Sequence, residues 1–139
     1  MKYPARFTRA KQGGWLIKFR DLPEAISQAE ESEDREEIAA GCLQAAIESR
    51  IGYDMGLLPP ASAARRGEVV ISLPLETAAK AALYVAMKEA KVSKSELARR
   101  LHVDEKEVRR MLDTNHATKF PRLDMAVRAL GRRLEISLA

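Results

Sequence analysis

Three cations, Lys106, Arg109 and Arg110, fall on one side of a short stretch, Glu105 to Leu112, whose apolar residues Val108, Met111 and Leu112 fall on the other. In a helix laid into the major groove of a duplex, such side chains reach base edges, and arginine can clamp a guanine in bidentate fashion. Upstream, Lys94 and Ser95 open a second amphipathic stretch. Amide groups and a cation at such a helix start suit a phosphate. Downstream, Thr118 and Lys119 stand in a polar loop, Asn115 to Phe120, and are further phosphate contacts by residue type. The chemistry is recognition of a polyanion, with no bond made or broken.

Holding those groups in place requires two short helices across a tight turn, the pattern of a helix-turn-helix. Leu97, Ala98 and Leu101 on the first, Val103 in the turn, and Val108, Met111 and Leu112 on the second form one shared core. Ala98 is small enough to let the helices cross closely. Asp104 is predicted to cap the second helix, with Glu107 reaching back to complete a capping box. Pro121 to Gly131 reads as another helix, with Leu123, Ala126, Val127 and Leu130 inward and Gly131 as its stop. Pro74 opens a long, alanine-rich helix, Leu75 to Ala90, so weakly polar that it must be buried on more than one side. It is expected to carry the helical core together with an inter-domain or dimer contact. Leu134, Ile136 and Leu138 alternate, which predicts a short final strand in need of a partner.

The amino-terminal half has period two instead. Tyr3, Ala5 and Phe7, then Trp15, Ile17 and Phe19, predict a hairpin with its turn at Gln12, Gly13 and Gly14. Asp21 to Glu24 breaks the second strand, and Ala25 to Ala29 makes a short third one. Acidic Glu30 to Glu37 opens a helix, since negative charge favours a helix amino terminus and an apolar stripe follows: Ile38, Cys42, Leu43, Ala46, Ile47 and Ile51. That helix is expected to lie on one face of the sheet. Gly56 to Gly67 reads as an exposed loop, and Val69 to Leu73 as a fourth strand, parallel to one of the first three if it closes a βαβ unit. The fold class is therefore α+β, with a sheet domain over 1–73 and a helical domain over 74–139.

Charge follows the same division. Residues 1–73 hold 10 Lys and Arg against 11 Asp and Glu, a balance of −1, whereas residues 74–139 hold 14 against 9, or +5. The basic excess thus lies in the half that carries the recognition pattern, as attraction to DNA phosphate requires. With 139 residues, 46% hydrophobic and 32% charged, the chain suits one ordinary domain or two small ones. No apolar run approaches the roughly 20 residues that cross a bilayer, and the amino terminus has no secretory core, so a cytoplasmic protein without membrane attachment is expected. Cys42 is the sole cysteine, which leaves no internal disulfide or cysteine-based zinc site, and a buried structural thiol is expected. His102 and His116 lack metal-ligand spacing with it. Two-metal hydrolysis needs several carboxylates converging on ions about 4 Å apart. Asp21, Glu24 and Asp34 are the only early candidates in or beside the sheet, and the others lie on a charged helix entry, where solvation is the usual fate. No catalytic residue, metal or cofactor is expected.

The order of these parts resembles the HicB antitoxins of HicA and HicB toxin-antitoxin modules, in the branch with a carboxy-terminal helix-turn-helix. The resemblance runs from Leu73-Pro74-Leu75 through Lys80-Ala81-Ala82-Leu83 and Ser95-Glu96-Leu97-Ala98-Arg99-Arg100-Leu101 to His116-Ala117-Thr118 and Ala129-Leu130-Gly131-Arg132-Arg133-Leu134. Tyr3, Trp15-Leu16-Ile17-Lys18-Phe19 and Asp21-Leu22-Pro23 extend it to the amino-terminal half. It implies a partial ribonuclease-H-like domain that holds a HicA-type messenger-RNA-cleaving toxin, and a second domain that binds the operon's own operator. A homodimer or tetramer is expected as well, since one helix-turn-helix alone seldom binds tightly enough. Toxin contacts would then fall on Tyr3, Trp15, Glu33, Asp34, Glu36 and Glu37. Two departures are evident: Glu24 and the acidic run stand where the family often has a glycine and a Gly-Asp-Thr-like turn, and His102 replaces a common glycine. Histidine tolerates left-handed angles better than most residues. The alternative reading is a stand-alone helix-turn-helix regulator whose amino-terminal domain senses a ligand, and the absence of an adjoining toxin gene would favour it.

Overall fold

The computed structural model describes all 139 residues and places four strands and five helices along the chain. In order these are β1 (Lys2–Arg9), β2 (Trp15–Phe19), β3 (Leu22–Ala29), α1 (Arg35–Gly52), β4 (Glu68–Ser72), α2 (Leu75–Ala90), α3 (Lys94–Leu101), α4 (Glu105–Leu112) and α5 (Phe120–Arg128). They divide into two compact units, residues 1–49 with 58–74, and residues 50–57 with 75–139. No helix is long and apolar enough to cross a membrane.

The first unit is an antiparallel sheet in the order β3-β2-β1-β4. The predicted alternation sets its faces. Ala5 lies opposite Phe19, Phe7 opposite Ile17, and Tyr3 opposite Ile71 of β4, so the apolar residues share one side. Ala39, Leu43, Ala46 and Ile47 of α1 are buried in the same unit, and the Arg35 guanidinium at its start stacks 3.9 Å from the Trp15 ring and 5.3 Å from that of Phe7. Gly13 and Gly14 take φ of 93° and 77° in the β1–β2 turn. A Cβ on Gly14 would meet the Ala29 carbonyl oxygen at 2.4 Å, so side chains are excluded there.

Three expectations need correction in this unit. The fourth strand is not parallel to any other: β4 runs antiparallel to β1, because the long connection through α1 and residues 53–67 returns the chain in either direction. The third strand is also longer than Ala25 to Ala29 and takes in Pro23. At the sheet edge a missing N–H leaves no gap in a ladder. Cys42 is half-buried rather than buried, and burial pushes its thiol up from the ordinary range.

Loop 58–67 is tied to the sheet by Arg20, with a further bond from Arg6 Nη2 to the Arg66 carbonyl at 3.2 Å. Arg20, in the β2–β3 turn, donates from Nε (3.2 Å) and Nη2 (2.9 Å) to the Glu68 carboxylate, from Nη1 to Ser62 Oγ (2.9 Å) and from Nη2 to the Ala63 carbonyl (3.0 Å). Glu68 also accepts the Arg65 N–H at 2.7 Å. Its side chain is 3% exposed, and Arg20 first, then the Arg65 amide, hold its carboxyl at about 2 rather than 4.5. A carboxyl lowered by folding contributes stability above its unfolded pKa that is lost as pH falls towards the folded one. The first unit should therefore lose stability between pH 4.5 and about 2, followed by the fluorescence of Trp15, and Glu68→Gln should flatten that loss. An unchanged acid slope in the variant would mean that this clasp contributes nothing to folding.

The second unit is helical, with a core of Leu83, Tyr84 and Met87 on α2, Leu97 and Ala98 on α3, Val108, Met111 and Leu112 on α4, and Leu123, Ala126 and Val127 on α5. Residues 50–57 join it rather than the first unit: the Tyr84 hydroxyl donates to the Gly56 carbonyl at 2.6 Å, and Lys88 pairs with Asp54. The predicted final strand is absent. Residues 132–139 pair with no strand, and Ile136 and Leu138 are 74% and 102% exposed. Alternation alone does not make a strand, since the hydrogen bonds must come from a neighbouring strand and none pairs with this segment.

Candidate nucleic-acid interface

Helix α3 begins at Ser93, a cap residue that the sequence reading passed over, whose hydroxyl accepts the Glu96 N–H at 3.1 Å. It ends at His102, which takes φ 56° and ψ 42°, the left-handed conformation expected of it. In that geometry the Val103 N–H reaches back to the Ala98 carbonyl (3.0 Å) and the His102 N–H to that of Arg99 (3.3 Å), closing the helix. Ala98 is 5% exposed and Leu97 fully buried. Asp104 is the N-cap residue of α4 by backbone geometry, but its side chain accepts no cap hydrogen bond. The predicted capping box is not formed, because Glu107 is taken by two arginines: Arg110 Nη1 at 2.6 Å and Arg122 Nη2 at 3.3 Å.

From this origin α4 turns Val108, Met111 and Leu112 inward. Lys106 is exposed and in no ion pair, and the Arg109 and Arg110 side chains are 63% and 43% exposed. Each arginine leans on a carboxylate of its own helix, Arg109 on Glu105 (3.0 Å) and Arg110 on Glu107. Exposed pairs of this kind are worth about 0.3–0.5 kcal/mol. An incoming phosphate or base edge can therefore displace them at little cost. The same holds on α3, where Glu96 pairs with Arg99 (2.6 Å) and Arg100 (3.1 Å), which hold its carboxyl at about 2.

The remaining expected residues gather in two clefts. One, of about 310 Å³, brings Lys94 and Ser95 beside Ser93, Glu105, Lys88 and Tyr84. The other, of about 360 Å³, brings Arg110, Thr118 and Lys119 together with His116, Arg122 and Glu107. Lys119 is exposed at the start of α5. The Thr118 hydroxyl is already engaged, accepting from Lys80 Nζ at 3.0 Å and lying 3.4 Å from His116 Nδ1. Arg122 and Lys80 were missed. Arg122 was legible, because placing Leu123, Ala126 and Val127 inward puts it on the outside of α5. The signal for Lys80 was a single cation inside the apolar run Ala78-Ala79-Lys80-Ala81-Ala82-Leu83.

Residues proposed for a protein partner lie in the first unit. Glu33, Asp34, Glu36 and Glu37 are all exposed, and Asp34 Oδ1 accepts the N–H groups of Glu36 (3.0 Å) and Glu37 (3.3 Å), so it caps α1. Trp15 is half-buried between the guanidinium groups of Arg9 (4.4 Å) and Arg35. Tyr3 is 1% exposed, with its hydroxyl on the Pro59 carbonyl at 2.7 Å, which makes it a core residue and not a contact surface. Asp21 accepts from Ser62 Oγ at 2.7 Å and pairs with Arg20, so that early carboxylate helps to hold the loop.

Comparison with known proteins gives one consistent result. Residues 2–82 match a family model described as the HicB_like antitoxin of bacterial toxin-antitoxin systems. The chain is 33% identical over 136 residues to Antitoxin HicB of Escherichia coli strain K12, covering 98% of both proteins. It is 30% identical over 138 residues to Antitoxin HicB 1 of Photorhabdus laumondii, covering 99% of this chain and 87% of that one. Against Antitoxin HicB of Pseudomonas fluorescens the identity is 33% over 127 residues, 91% of this chain and 86% of the relative.

Proposed function

Because the chain belongs to the HicB-like family of bacterial antitoxins, we propose that it neutralises a HicA-type ribonuclease toxin and represses its own operon by binding operator DNA. On this reading the sheet and α1 are the toxin-binding part, a partial ribonuclease-H-like domain. Helices α3 and α4 are a helix-turn-helix, with α4 in the major groove, Lys94 and Ser95 on the backbone, and Lys119 with Thr118 on a neighbouring phosphate. A homodimer or tetramer sets two such helices about 34 Å apart on a palindromic operator.

The observation that carries the DNA half is the outward set of Lys106, Arg109 and Arg110 on a helix whose other side is fully buried. If Arg109 reads a base, Arg109→Ala costs about 1–3 kcal/mol on the operator and much less on random duplex. Lys94→Ala, a phosphate contact, weakens both alike and reduces the salt slope. Titration of both duplexes over a range of salt separates the two. Equal losses on both for Arg109 reassign it to the backbone, and no salt-dependent binding by the unaltered protein ends the repressor reading.

For the toxin half, the acidic entry to α1 faces solvent and complements a basic ribonuclease. Electrostatic matching of that kind acts mainly on the association rate. Reversing Glu33, Glu36 and Glu37, and sparing Asp34 because it caps the helix, should slow association with the toxin at low salt by about ten-fold or more, with a smaller effect at high salt. Stopped-flow association rates that stay the same would remove this segment from the interface.

A further inference from the structure

Lys80 is 3% exposed, on the inner side of α2, and its Nζ is surrounded by four oxygen atoms. Three are main-chain carbonyls, of Arg110 (3.0 Å), Asp113 (2.5 Å) and His116 (2.5 Å), and the fourth is Thr118 Oγ1 (3.0 Å). All four come from one stretch, the last turn of α4 and the loop that follows. Arg110 lies in the last turn of α4, at the negative end of its dipole, where a cation is favoured. Its carbonyl and that of Asp113 each accept one backbone N–H, from Asp113 and His116, and Lys80 takes a second lone pair of each. An ammonium has only three N–H groups for these four acceptors. The arrangement is that of a dehydrated monovalent cation among carbonyl oxygens, with the ion attached to a side chain.

We propose that Lys80 is a positioning residue for DNA contact: its tethered ammonium replaces a bound monovalent cation at the carboxyl end of α4 and holds the 113–119 loop in its DNA-contacting arrangement. The proposal rests on the operator-binding reading above and adds a role for a residue that does not touch DNA. Its consequence at the surface runs through Thr118. Because that hydroxyl accepts from Lys80, its one proton is left to donate outward, with only the distant His116 Nδ1 in competition. Polarisation by the ammonium makes it a better donor to a phosphate oxygen. Lys119, next in sequence, and Arg110, whose carbonyl Lys80 holds, line the same cleft.

The test uses the full chain with Lys80→Met, which keeps the stem and removes the charge, Lys80→Ala, which leaves room for a small cation, and Thr118→Val. Amide hydrogen exchange is read at residues 113–119, with Leu83 and Leu97 as references. Lys80→Met should speed exchange in the loop by about ten-fold or more and leave the references unchanged. Operator affinity should fall by about ten-fold or more, with a shallower salt slope, since releasing the loop takes Lys119 off its phosphate. Ammonium or methylammonium chloride should restore part of the affinity of Lys80→Ala, against sodium chloride at equal ionic strength. Thr118→Val should add little to Lys80→Met, because the hydroxyl acts only when held. Unchanged loop exchange overturns the proposal, as does a rise shared equally by Leu97, which would make Lys80 a core residue only. If the unaltered protein binds no operator, the repressor reading fails, and loop exchange still decides whether Lys80 holds the loop.

Discussion

Phe19→Ala is expected to destabilise the first unit by about 3–5 kcal/mol, a large share of the roughly 5–15 kcal/mol available to a domain. Phe19 is 2% exposed, and its partner across the β1–β2 ladder is Ala5, too small to fill the space left behind. Its neighbour across β3 is Leu22, at the one irregular register of the sheet, where the backbone is already committed to a bend. The loss therefore combines transfer free energy with an unrelaxed cavity. Urea unfolding followed by Trp15, the sole tryptophan and four residues away on the same strand, measures it directly. The proposed toxin neutralisation should disappear with it. A shift equivalent to less than about 1 kcal/mol would mean that the apolar face is not packed as described.

Leu97→Ala should have the second largest effect, about 2–5 kcal/mol on the helical unit. Leu97 is fully buried on α3, in the small core that α3 shares with Val108 and Met111 of α4. Two eight-residue helices have almost no stability of their own, so this core is what holds α4 at its angle. Operator binding should fall by far more than for Arg109→Ala, because every outward cation moves together. Thermal unfolding of the variant, read by hydrogen exchange at Val108 and Met111, distinguishes loss of the helix pair from loss of a single contact. Wild-type operator affinity in a correctly destabilised variant would show that α4 is not the element that meets DNA.

The fold is most legible in the sequence where a period fixes a face. Leu75–Ala90 was legible to the residue from Pro74 and the alanine-rich apolar run; the structure adds that Lys91, at φ 55°, closes it. The outward set on α4 was legible because burying Val108, Met111 and Leu112 leaves only one side for Lys106, Arg109 and Arg110. Capping was less legible: Asp104 and Glu107 have the right spacing for a box, yet Arg110 and Arg122 compete for the same carboxylate, and the second of them is distant in sequence. The final strand failed for a related reason, as Leu134, Ile136 and Leu138 have the alternation but pair with none of the four strands.

The sequence by itself determined which face of each strand and helix is buried, where the His102 turn falls, and that the cationic excess belongs to residues 74–139. Those are local properties, set by side-chain period and by the φ that one residue can adopt. Only the tertiary structure decided that β4 runs antiparallel to β1, that residues 50–57 belong with the helices, and that Lys80 sits among four oxygens of the 110–118 stretch. Each of these depends on groups 28 or more residues apart finding hydrogen-bond partners, and the spacing of residues along one element does not encode which distant element will supply them.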